Sequence, residues 1–240
     1  MPSLAFWVGC SQKFERGGLR RGGNRTTYAR KPRESAVSST EPLSERQQAD
    51  VRHRFANVFQ LLSALTRMRV QRAQDIETKR QLTWMLDATG VLASMQQRLL
   101  GSDPNDFAGY LQDLLPQWRR RTAGRAIEIE LEAESVPVRE HLISALLLIA
   151  NELVSNALTH AFPARRAGKI RIELRALPDG KAELIVIDDG AGVNPTNNSR
   201  SSLGLWLIRG LTDQVKGVMT TPTTEVGVTT RLEFATQAEG

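Results

Sequence analysis

The chain has 240 residues, 40% hydrophobic, 24% charged and 5% aromatic, with a formal net charge of +6 and one cysteine. That length and apolar share suit one large domain or two small ones around a real core, and a lone Cys10 excludes a disulfide scaffold or a cysteine-rich zinc site. No unbroken run of about 18 apolar residues is present, and Leu4–Cys10 is too short for a secretory signal, so the expectation is a cytoplasmic protein with no integral membrane segment.

Residues 1–48 hold nine Lys/Arg against four acids, which leaves residues 49–240 nearly neutral. The basic character therefore belongs to a leader and says little about the fold. Residues 1–46 are rich in Gly, Arg, Ser and Thr without apolar period, and are expected to be a disordered basic leader. Contact with nucleic acid or acidic lipid fits that composition, but a solvated leader is the expectation, with no nucleic-acid partner.

From residue 47 the pattern changes. Phe55, Val58, Phe59, Leu62, Leu65 and Met68 recur at helical steps, and Ile76, Leu82, Met85, Leu86, Leu92, Met95 and Leu99 form a second helical series ending near Gly101. A break around Ala73–Glu77 predicts an antiparallel hairpin over 47–101. Such a hairpin cannot bury both apolar faces alone, and a second copy would complete a dimeric four-helix bundle.

Residues 102–125 read as a connecting segment. Ser102-Asp103-Pro104 offers a turn or cap, and Phe107, Tyr110, Leu111, Leu114 and Leu115 a short amphipathic helix that Pro116 is expected to end or bend. Residues 126–236 then alternate. Ile127, Ile129 and Leu131 predict a strand, and Pro137 opens a long apolar helix to about Phe162. Strands follow at about 169–177 and 182–188, then the break Gly190-Ala191-Gly192 and an unpatterned stretch 194–202. A helix over 203–215 and strands near 217–221 and 227–234 complete the series. The fold class is α+β, with helices layered on a mostly antiparallel sheet.

Three polar clusters lie in this second half. On the long helix, Glu152, Asn156 and His160 fall at four-residue steps on one face. A carboxamide oxygen there suits Mg²⁺ and a carboxylate can orient or deprotonate a nucleophile, though a solvated helix face has the same pattern. Asp188-Asp189-Gly190-Ala191-Gly192 ends a strand. Its acid could meet an exocyclic amino group while the glycines admit a flat ligand, or it could be an acidic turn. Ser201-Ser202-Leu203-Gly204-Leu205 starts a helix whose N–H groups could cradle phosphate.

In this order the clusters resemble the N, G1 and G2 boxes of the GHKL (Bergerat) ATPases, which include DNA gyrase, mismatch-repair ATPases and histidine kinases. The stretch from Asn151 to Phe162 is especially close to the histidine-kinase form. The resemblance implies an α/β sandwich ATPase domain over 126–236 that binds ATP and Mg²⁺. It places Asn156 on Mg²⁺, Asp188 on the adenine amino group, and His160, Gly190, Gly192, Leu203, Gly204 and Leu205 along the nucleotide.

The first helix carries Asp50-Val51-Arg52-His53-Arg54-Phe55-Ala56-Asn57-Val58-Phe59-Gln60. Asp50, Asn57 and Gln60 gather around His53 on a helical wheel, and a neutral imidazole near a carboxylate is a competent phosphoryl acceptor. The pattern H-R-x-x-N-x-x-Q resembles the phosphoacceptor helix of the HisKA_2 and HWE histidine kinases. The chain departs from the family at Ala56 and Thr159, where Lys is common, at Val228, where Thr is common, and at Ser202, where G2 has a glycine.

The expectation is an ATP-dependent protein histidine kinase of a two-component system. His53 would take the γ-phosphoryl group, Glu152 would act as base with Asp50 as second candidate, and the phosphoryl group would pass to a response-regulator receiver domain. The signal would arrive through a separate sensor partner or be encoded elsewhere. A histidine phosphotransferase that does not bind ATP, and an anti-sigma-type serine kinase, are the alternatives; the latter lacks the hairpin.

Overall fold

The computed structural model describes residues 45–99, 103–163, 166–192, 203–222 and 226–237. Nearly all of the expected leader, the hairpin's end at Gly101, the cap at Ser102, the stretch 194–202 and Ser201-Ser202 lie outside the described residues.

Two long helices, α1 (Glu45–Arg72) and α2 (Ile76–Leu99), form the expected hairpin. Asp75 sets the break: its carboxylate accepts from the Thr78 N–H at 2.7 Å and so caps α2. Much of the apolar face of α1 meets solvent, with Phe55, Val58, Leu61, Leu62, Leu65 and Met68 all exposed. The inner end of α2 is different, because Val91 and Met95 are buried in the domain core.

Helix α3 (Phe107–Arg121) starts at Asp106, whose side chain accepts from the Gly109 N–H at 2.9 Å. It runs on past Pro116, so of the expected end or bend the end does not occur. Pro116 and Gln112, whose carbonyl loses its partner to the proline ring, both face water, while Leu114 and Trp118 anchor the inner face.

The strands are β1 (Ile127–Ala133), β2 (Gly168–Leu177), β3 (Lys181–Asp188), β4 (Val218–Thr220) and β5 (Val228–Ala235), in the order β1-β2-β3-β5-β4. Among the described residues only β1 pairs in parallel, with β2, so the sheet is mostly antiparallel as expected. Asp179 and Gly180, both at positive φ, turn β2 into β3.

Helix α4 (Glu140–Asn156) continues as a five-residue π turn, Ala157–Ala161, and α5 (Leu203–Gln214) follows β3. One correction concerns α4. It begins at Glu140 rather than Pro137, because Pro137 bridges to Asp106 and the Val138 N–H donates to the Asn105 carbonyl at 2.9 Å. Residues 140–161 hold no unbroken apolar run of about 18 residues, as expected, yet by length and mean hydropathy they are apolar enough to span a bilayer. The reason is burial: this helix is hydrophobic nearly all round because it lies in the core, with 67% of its most apolar window covered.

Ile143, Leu146, Leu147 and Ile149 of α4 share that core with Ile170, Ile172 and Leu174 of β2, Leu184 of β3, and Leu232 and Phe234 of β5. Phe107 meets Phe234 edge to face, with ring centroids 6.2 Å apart.

Candidate active site

Helix α3 and the turn after it fix the polar end of α4 through three side chains. Trp118 Nε1 donates to Asn151 Oδ1 at 3.1 Å, and Arg121 donates to Ser155 Oγ at 2.9 Å. Arg125 donates to the Leu158 carbonyl at 2.8 Å and to that of Phe162 at 3.4 Å. Those carbonyls end a helix and have lost their intrahelical partners, so the guanidinium completes them. Asn151 is thus a structural residue, held by an indole.

Glu152 is 6% exposed, and its Oε2 accepts from Trp84 Nε1 of α2 at 2.7 Å. Burial pushes its carboxyl above the ordinary range, against the pull of the Trp84 donor and of Arg121. A Cβ on Gly204 would come within 1.8 Å of Glu152 Oε1, so a larger residue there would make this carboxylate move. Around the contact lies a cleft of about 330 Å³ between α2 and the end of α4. Glu152, Ser155, Asn156, Thr159, His160, Leu203 and Gly204 line one side, and Arg80, Trp84 and Asp87 of α2 with Arg121 of α3 line the other.

The π turn breaks the 100° step on which His160 was placed, yet Glu152, Asn156 and His160 still share this cleft. Burial and the Arg80 charge lower the His160 pKa. Burial likewise raises Asp87, although Arg121 stands 3.6 Å away. Leu205 packs against the core.

The Asp188 cluster is a second locus at the end of β3, outside the lining of this cleft. Asp188 is buried, and its Oδ1 accepts from the Gly190 N–H at 3.0 Å. Burial raises its carboxyl pKa, with the Gly190 and Val228 N–H groups pulling the other way. Gly190 presses on protein: an added Cβ would fall 2.4 Å from the Ala161 carbonyl oxygen. The Ala191 N–H donates to that same carbonyl at 2.9 Å, which ties this strand end to the π turn. Gly192 has φ +76°, a value glycine adopts freely.

His53 is exposed and stands elsewhere, at a cavity of about 510 Å³ between the helices with Phe59, Gln60, Ala93 and Gln96. Asp50, the second candidate base, pairs with Arg54 at 2.8 Å. From Trp84 to Gln96 is twelve residues of α2, roughly 18 Å of helix. The imidazole is therefore well removed from Glu152.

Among the described residues no group of three or more His, Cys, Asp or Glu is placed to hold a metal ion. The cleft does offer oxygen donors in Asn156, Glu152, Ser155 and Thr159. These fit Mg²⁺ brought in on a phosphate chain, since that ion keeps waters and needs few protein ligands. Trp84, Arg80, Asp87 and Arg121 carried no sequence signal, because each lies within an ordinary helical pattern and is placed by docking of the hairpin.

Residues 117–233 match the family described as the histidine kinase-like ATPase domain. That decides the fold of the second half. The chain is 23% identical over 154 residues to Blue-light-activated histidine kinase 2 of Erythrobacter litoralis, covering 62% of this chain and 44% of that protein. It is 27% identical over 169 residues to Sensor histidine kinase PdtaS of Mycobacterium tuberculosis, covering 68% and 33%. The chain thus spans less than half the length of these curated relatives. Among solved structures, the histidine kinase domain of E. litoralis EL346 superposes with a TM-score of 0.59 at 20% identity, covering 80% of this chain and 94% of that one. The α+β architecture expected from the sequence, helical hairpin followed by a GHKL-type ATPase domain, is the one observed.

Proposed function

We propose that this protein is an ATP-dependent protein histidine kinase of a two-component system, of the HisKA_2/HWE type. The reading is carried by one observation: Glu152, Asn156 and His160 of α4 and its π turn, with Gly204 of α5, line one cleft on a histidine kinase-like ATPase fold. Adenine sits at Asp188 and the phosphates run into the cleft, where Asn156 would hold Mg²⁺, which would supply charge neutralisation.

A ring nitrogen of neutral His53 attacks the γ-phosphorus in line. A P–N bond forms, the bond to the β–γ bridging oxygen breaks, and ADP leaves with that electron pair. The other ring nitrogen gives its proton to Glu152, whose raised pKa suits a base. Because His53 stands roughly 18 Å along α2 from Trp84, the hairpin leaves its docked position before transfer. The phosphoryl group then passes to an aspartate of a receiver domain. The exposed apolar face of α1 supports a homodimer, and the cytoplasm is the compartment this activity implies.

Incubation with γ-labelled ATP tests the reading. Label that is acid-labile, base-stable and absent from His53→Gln is expected; label that persists in that variant refutes His53 as acceptor.

A further inference from the structure

We propose that Arg80, on α2, is a nucleotide-phosphate ligand that the helical hairpin supplies to the ATPase domain; this rests on the nucleotide reading above. A phosphate chain concentrates negative charge and is best met by planar, bidentate cationic donors. Among the described residues, the ATPase-domain wall of the cleft, from Glu152 to His160 with Leu203 and Gly204, contains no Lys or Arg and one carboxylate. Those described residues carry no positive charge to set against a polyphosphate.

The cations lining the cleft come instead from α2 and α3: Lys79, Arg80 and Arg121. Arg121 is engaged, donating to Ser155 at 2.9 Å with Asp87 at 3.6 Å. Arg80 is not. Its ion pair is a loose one to Glu77 at 3.7 Å, one turn back on the same exposed face, a geometry that contributes little. Its charge nevertheless bears on both Glu152 and His160 across the cleft. A guanidinium weakly held at home, facing the wall that lacks a cation, is placed to fork onto a phosphate. The hairpin then has a second task besides carrying His53, since its docking completes the phosphate end of the site.

Calorimetric titration of the full chain with ATP, ADP and AMP at fixed Mg²⁺ tests this. Arg80→Ala is expected to bind ATP about tenfold or more weakly, with AMP unchanged, and Arg80→Lys to lie between. Asp188→Asn should weaken all three nucleotides alike, and Arg69→Ala, outside the cleft, none. If Arg80→Ala binds ATP as the parent chain does while Asp188→Asn still weakens binding, the Arg80 assignment is overturned and the nucleotide site stands. If the parent chain binds none of the three, both fall.

Discussion

Replacing Trp84 by Phe removes one hydrogen-bond donor and keeps an aromatic ring. Trp84 Nε1 lies 2.7 Å from Glu152 Oε2, and Glu152 is 6% exposed, so its carboxylate loses a partner without gaining water. A hydrogen bond to a charged group contributes about 1.5–3 kcal/mol. That is a roughly ten- to hundredfold shift of the docking equilibrium between hairpin and ATPase domain. The melting temperature should fall by roughly 2–4 °C per kcal/mol for a chain of this size. Amide exchange should quicken in 80–90 and 150–156, the segments the bond joins. The decisive assay is a double-mutant cycle of Trp84→Phe with Glu152→Ala, read by chemical denaturation, with an expected interaction energy above about 1 kcal/mol. If the two effects add to within about 0.5 kcal/mol, the indole does not tie the hairpin to Glu152 and the reasoning is wrong.

Other expectations concern single groups. Gly190→Ala drives a methyl to 2.4 Å from the Ala161 carbonyl oxygen, and should cost about 1–3 kcal/mol by urea denaturation. Asp188 carries a raised pKa because it is buried. Its carboxylate is therefore lost as pH falls through a value above that of an ordinary aspartate, and ATP affinity should decline over that same interval, while Asp188→Asn flattens the profile in calorimetric titrations. Tyr110 is buried, and its phenol is pushed up to about 12, chiefly by burial and despite Arg98 over its ring. Spectrophotometric titration should show a late ionisation that disappears in Tyr110→Phe; an ordinary phenol curve would contradict the packing.

Periodicity alone located most elements. The alternation Ile170, Ile172, Leu174 in β2 and the steps Leu146, Ile149, Ala150, Leu153 in α4 reflect burial on one or both faces, and burial is what those patterns record. Positions fixed by contacts between segments were illegible. Pro137 looks like a helix start in isolation, but the chain entering α4 is bonded to Asn105 and Asp106, so the helix waits until Glu140. Pro116 looks like a stop, yet Trp118 and Leu114 hold its helix together from the inner side. Within the site, Asn156, His160 and Gly204 could be picked out because their residue types are chemically distinctive. The opposing wall of Arg80, Trp84 and Asp87 could not, since nothing within α2 announces which domain it will touch. The reach of Gly190 and Gly204 was visible as an absence of side chain, but the sequence does not say that protein fills the space beside them.

The π turn at Ala157–Ala161 sets a reading frame for everything that follows it. A widened turn holds one residue more than an ordinary helical one, so each position after Asn156 is offset from where a regular helix would carry it. Removing a single residue there would let the helix close up, rotating His160 out of the cleft and pulling the Ala161 carbonyl away from Ala191. A one-residue deletion in this segment is thus a change of phase, felt at the strand end holding Asp188 as well as at the cleft itself.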